Sequence, residues 1–263
     1  MTHDIRQRWS QQTINGDRAV EIPQYAIGRI LTVWAVATAP MAILAWLVAP
    51  RLASIIDGPS SLAQALLILL AIGLIWQFVM VVWLVRREQG SVRWRVVRDA
   101  LWLHSPKSPR TSRVGGRVWL VLIPLAVLFF AEQFIPTFAP VAGRDFGTFL
   151  SSPAGEAFFH GAWGWYGLVI VLWTFNTVLG EELLFRGLLL PRMNGAFGRA
   201  DWVVNGFLFA AYHVHMPWAM PAILADALVL AYPTKRYKSA WIGIAVHSAQ
   251  SLFLAVMVLT LVL

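Results

Sequence analysis

Cysteine is missing from all 263 positions. Disulfide staples and thiolate metal sites are therefore excluded, and the redox compartment is left unread. Charge is scarce as well. Charged types make up 13% of the residues, against about 25% in soluble domains. The acidic sign is the scarcer one, with 13 Asp+Glu against 21 Lys+Arg and a net charge of +8. The basic residues flank apolar runs, so they point to anionic lipid headgroups and topology, and nucleic acid is not an expected partner. Residues 1–26 lack an apolar core behind a charged start, so they do not read as a cleavable signal peptide. They are expected to form a cytoplasmic tail. What the chain has in excess is apolar surface, with 58% hydrophobic types. It reads as a multi-pass integral membrane protein, expected in a prokaryotic inner or plasma membrane.

A membrane-spanning helix needs about 20 mostly apolar residues. Candidate segments cover about residues 29–48, 62–85, 118–138 and 163–182. Shorter ones cover about 202–213 and 219–232, and the last covers about 240–263. The fold expected is all-α, a polytopic transmembrane bundle of about seven spans, within six to eight. Residues 92–103 place Val92, Val96, Val97 and Leu101 at helical spacing, which predicts a helix lying on the membrane surface. Pro124 is a candidate kink. With seven spans every basic loop falls on one side, giving a cytoplasmic N-terminus. No internal repeat is found. One membrane domain is expected over residues 27–263, with its chemistry in about 163–263.

Ionisable residues at membrane depth are costly and rare, and each is a candidate for function. The stretch GEELLFRGLLL, residues 180–190, holds two adjacent carboxylates in an apolar run. Glu182 and Arg186 are four apart and can pair on one helix face. Glu181 points about 100° away and is left for other partners. By rise along their segments, Glu181, His213 and His247 all reach the same half of the bundle, the two histidines ~10–16 Å from its basic end. His247 and Ser251 share a face, with Gln250 beside them. A desolvated glutamate can act as a base near neutral pH. Histidine, hydroxyl and amide donors can stabilise an oxyanion. Together these describe water-activated hydrolysis of a carbonyl compound inside the membrane.

EELLFRG resembles the EExxxR motif of the CPBP family of intramembrane CAAX-type glutamic endopeptidases, which includes the Rce- and ABI-like proteins. FAAYH, residues 209–213, is similar to that family's FxxxH motif. SAWIGIAVHSAQS resembles its closing segment with HxxxN, except that Ser251 stands where the family has asparagine. The resemblance covers roughly residues 173–251. It implies that Glu181 and His213 activate the attacking water and that Glu182 and Arg186 organise the site. It also implies that His247 helps form the oxyanion site, with Phe209, Gln250 and Ser251 in support. The implied substrate is a peptide bond in a membrane-associated or prenylated protein.

Blander readings exist for each residue. Glu181 and Glu182 could be a charged helix end with Arg186 snorkelling. His215 reads as structural, Glu132 as interfacial, and Asp226 as either a packing or a cavity residue. Glu181, His213 and His247 would also make a zinc-type ligand set. No HExxH is present, and the resemblance favours a metal-free mechanism with no cofactor. The competing functions are a non-catalytic binding or bacteriocin-immunity-type protein on the same fold, and a proton-coupled transporter.

Overall fold

The computed structural model describes residues 20–263, so most of the expected N-terminal tail lies outside it. All seven segments expected as spans are helical: α1 (Ile27–Ala53), α2 (Ser61–Gln89), α4 (Gly116–Phe134), α7 (Trp163–Arg192), α8 (Asp201–Tyr212), α9 (Met220–Tyr237) and α10 (Ala240–Val262). Among them α1, α2, α4, α7 and α10 are long and apolar enough to cross a bilayer. The α8 helix has 12 residues, ~18 Å at 1.5 Å each, well short of a hydrocarbon core of about 30 Å. The 18 residues of α9 include Asp226, Lys235 and Arg236. These two form an antiparallel hairpin. Trp202 meets Tyr232 edge-on at 5.1 Å, and Asp201 pairs with Lys235.

Of residues 92–103, expected as a surface helix, Trp94–Ala100 are helical as α3. Two short helices occupy the mixed region after α4. The first, α5 (Phe146–Leu150), starts where the Asp145 carboxylate accepts from Thr148 N at 2.7 Å. The second, α6 (Pro153–Phe159), starts at a Ser152 cap with proline in its first turn. Pro124 lies in the first turn of the α-helical part of α4, just after a 3₁₀ stretch at Gly116–Val121. There its missing N–H costs little.

A cluster of basic residues gathers at one end of the bundle. Arg192 is fully buried. It donates to Glu88 Oε2 from Nε at 3.0 Å and Nη2 at 2.9 Å, and to the carbonyls of Leu188 and Ala100. Arg29 reaches the other Glu88 oxygen at 2.7 Å, and Tyr25 donates its hydroxyl to Glu88. Burial first, then that hydrogen bond, raises the Tyr25 hydroxyl well above its ordinary pKa. The loop after α3 docks on the α9–α10 turn, with Lys107 N donating to Tyr237 O and Ala240 N to Trp102 O. Residues with opposite charges thus tie the start of α1 to the ends of α2 and α7, and the start of α8 to the end of α9.

The second half of α7 is the centre of the molecule. Residues 180–193 are all buried. A helix apolar on every face belongs in an interior, and here Leu184, Phe185, Leu188 and Leu189 pack with Met41, Met80, Phe209 and Tyr212. The helix is underwound into wide π turns at Phe175–Gly180 and Leu183–Leu189, on both sides of the paired glutamates. Such π turns are rare and frequently sit at functional sites.

Candidate active site

The wide turns set the carboxylates on different partners. Glu182 is fully buried and faces Arg186 Nη1 at 3.3 Å. Arg186 is equally buried. It lies over the Phe209 ring at 4.0 Å, and its Nη2 donates to Ala227 O at 3.4 Å. His247 Nδ1 sits 3.1 Å from Glu182 Oε1, so the same carboxylate links α7 to α10. Gly243 is required by this packing, because a Cβ there would fall on Glu182 Oε2.

Glu181 turns the other way. The Asn176 amide lies 2.8 Å from both of its oxygens and donates with its nitrogen turned toward them. The Tyr212 hydroxyl also hydrogen-bonds Glu181, and Gln77 Nε2 donates to that hydroxyl at 2.6 Å. His213 caps the end of α8, and its Nδ1 is 2.9 Å from Phe209 O. A carbonyl accepts, so Nδ1 carries the hydrogen and neutral His213 presents a bare Nε2. That nitrogen is 3.8 Å from Glu181 Oε1. The pair is too far apart for a direct hydrogen bond. A water ~2.8 Å from each fits the apex of the triangle they make.

Two cavities meet at this pair. One, of about 190 Å³, is walled by Leu66, Leu70, Leu74, Val169, Leu172 and Trp173. Arg144 and Asp145 also line it. Burial raises the Asp145 carboxyl, but hydrogen bonds from Thr148 and Trp218 outweigh it and hold the group below its ordinary value. The other cavity, of about 350 Å³, is lined by Glu132, Asp226, His247 and Gln250 among others. Asn176, Glu181 and His213 line both.

The structure therefore brings together Glu181, Glu182, Arg186, Phe209, His213 and His247. Gln250 lines the second cavity beside His247 and donates to Glu132. Ser251 lines neither cavity. Glu132, read from sequence as interfacial, instead ends α4 against α10 and faces the cavity. Asp226 is a cavity residue, and His215 lines the apolar cavity with its ring 5.3 Å from His213. Sequence reasoning missed Asn176, Tyr212 and Gln77. Asn176 is five residues before Glu181, and only a π turn puts positions five apart on one face. Among the described residues no three His, Asp or Glu are grouped to hold a metal ion.

Residues 157–253 match the family model described as Type II CAAX prenyl endopeptidase Rce1-like. The match begins in α6, ends within α10 and includes Asn176, Glu181, Glu182, Arg186, Phe209, Tyr212, His213, Asp226, His247 and Gln250. That region of the helical membrane bundle is thus similar to the Rce1-like family. No curated protein and no solved structure gives a significant match.

Proposed function

We propose that the chain is an intramembrane glutamic endopeptidase that cleaves a peptide bond with water activated between Glu181 and His213. One observation carries the reading: a buried carboxylate and a bare imidazole nitrogen 3.8 Å apart, where two cavities meet. A water donating to both acceptors turns a lone pair outward toward an incoming carbonyl. Glu181 takes the proton as general base, a role worth about 10²–10⁴-fold. Asn176 and Tyr212 hold its oxygens in place.

The second carboxylate organises. Glu182 accepts from His247 Nδ1 and faces Arg186. As the imidazolium, His247 keeps an Nε2–H to offer a tetrahedral oxyanion. Gln250 supplies a second amide donor from the turn below, held by Glu132. It takes the place that the family pattern gives to residue 251. One such donor is typically worth about 10²–10³ in kcat. The proton held by Glu181 and His213 then returns to the leaving amine.

The substrate on this reading is a peptide or lipidated protein reaching the site from the bilayer or the basic end. By the positive-inside rule that end is cytoplasmic and the N-terminal tail lies there. The test is cleavage of lipidated and unlipidated peptides by purified protein in detergent, wild type beside Glu181→Ala and His213→Ala. We expect turnover by wild type and a loss of at least about 100-fold in each variant. Unchanged turnover in Glu181→Ala would sink the mechanism. A non-catalytic binding or immunity role is the second reading, favoured by serine at position 251. It predicts that Glu181→Ala keeps the cellular phenotype.

A further inference from the structure

The larger cavity has two carboxyls, Glu132 and Asp226, that do not touch the reacting atoms in the proposed chemistry. Glu132, at the end of α4, and Asp226, on α9, are hydrogen-bonded side chain to side chain. Two carboxyls can do this with one proton between them, in which case the pair holds one negative charge. Gln250 closes the cluster by donating to Glu132. Asp226 is 6% exposed, so bulk water screens that charge poorly.

Of the lining groups, His247 is a cation in the proposed mechanism, but Glu182 already pairs it. Glu181 is a third carboxyl in the same lining, and no lysine or arginine lines it among the described residues. The nearby Arg186 is buried behind the wall and faces Glu182. The smaller cavity on the other side of Glu181 and His213 is apolar and does hold an arginine, Arg144. A chain lying across the reacting pair therefore meets two unlike environments, one on each side of the scissile bond. The acidic side has the volume of a small ligand pocket, enough for a side chain or two.

We propose that Glu132 and Asp226 are specificity determinants: their cavity accepts a polypeptide segment with a lysine or arginine next to the scissile bond and rejects one with a carboxylate there. This rests on the endopeptidase reading for its catalytic consequence, but the binding preference stands apart from turnover. A cationic side chain gains the uncompensated charge at short range in a low-dielectric site. A carboxylate meets like charge at Glu132, Asp226 and Glu181.

The experiment uses one apolar peptide in three forms, with lysine, glutamine or glutamate at each position flanking the cleaved bond in turn. Full-length protein in detergent is assayed for kcat/KM. Fluorescent versions are titrated against the Glu181→Ala protein for Kd. On one side of the bond the lysine form should be cleaved, and bound, at least tenfold better than the glutamate form. Glu132→Gln with Asp226→Asn should bring that ratio to within about threefold, whatever the absolute rate. Charge-blind binding and cleavage by the wild-type cavity overturn the proposal, as does a preference that survives the double substitution. Failure of wild type to cleave any form, with lysine-selective binding intact, would count against the endopeptidase reading and for the cavity. If the double variant does not fold, the wild-type ratio decides.

Discussion

Two spans of almost equal hydropathy have opposite fates. The most apolar 18-residue window of α7 has a mean hydropathy of 1.6 and is 50% buried, while that of α4 has 1.7 and is 6% buried. Ile123, Val127 and Leu128 on α4 stay 57–68% exposed, as lipid-facing residues would. The α7 helix instead takes Glu181, Glu182 and Arg186 to the centre of the bundle. Hydropathy counts what a bilayer tolerates. Which span becomes the interior is decided by polar groups that need partners, because an unpaired charge in an apolar surrounding is expensive.

The comparison breaks most sharply at Arg186. It is fully buried and faces Glu182 at 3.3 Å. Arg186→Met should leave Glu182 with His247 as its nearest partner and cost about 3–5 kcal/mol, as removal of one partner of a buried pair does. Thermal unfolding in detergent measures it. Adding Glu182→Gln should recover much of the loss, since a neutral pair avoids the stranded charge. No recovery in the double variant would mean that the ion pair is not what holds α7 inside.

A smaller effect separates neighbours on α10. Gln250 lines the cavity and Ser251 does not. Gln250→Ala should lower kcat by about 100-fold with little change in KM, as loss of an oxyanion donor does. Ser251→Ala should stay within about threefold of wild type. The reverse ranking would return the oxyanion role to position 251 and to the family pattern.

The motif residues were legible because each carries its signal locally. Glu182 and Arg186 are four apart, and His213 and His247 are ionisable residues within apolar segments. The helical bundle was legible from the length of the apolar runs. Glu132 was not legible, because its meaning comes from Gln250, 118 positions away. Asn176 was hidden by helix geometry, since a regular α-helix does not bring residues five apart onto one face. The hairpin of α8 and α9 looked like two further spans by composition. Its depth is limited by 12 residues in one arm and by Asp226, Lys235 and Arg236 in the other.

The least disruptive change tests the comparison from its quiet side. Val127→Ala on α4 removes two methyl groups that are 68% exposed in the bundle. In a membrane, lipid tails fill that space with the same kind of contact that valine made, and little apolar packing is lost. The expected change in stability is within about 0.5 kcal/mol, the range for substitutions away from packed features. Leu184→Ala on α7 removes a comparable amount of hydrocarbon from a side chain with 0% exposure. There a cavity remains, and the expected loss is about 2–5 kcal/mol. Unfolding midpoints for the two variants, in one detergent, give the difference directly. Equal losses would mean that α4 packs against protein, either a second copy or a partner, and that its bare face is an interface waiting to be covered.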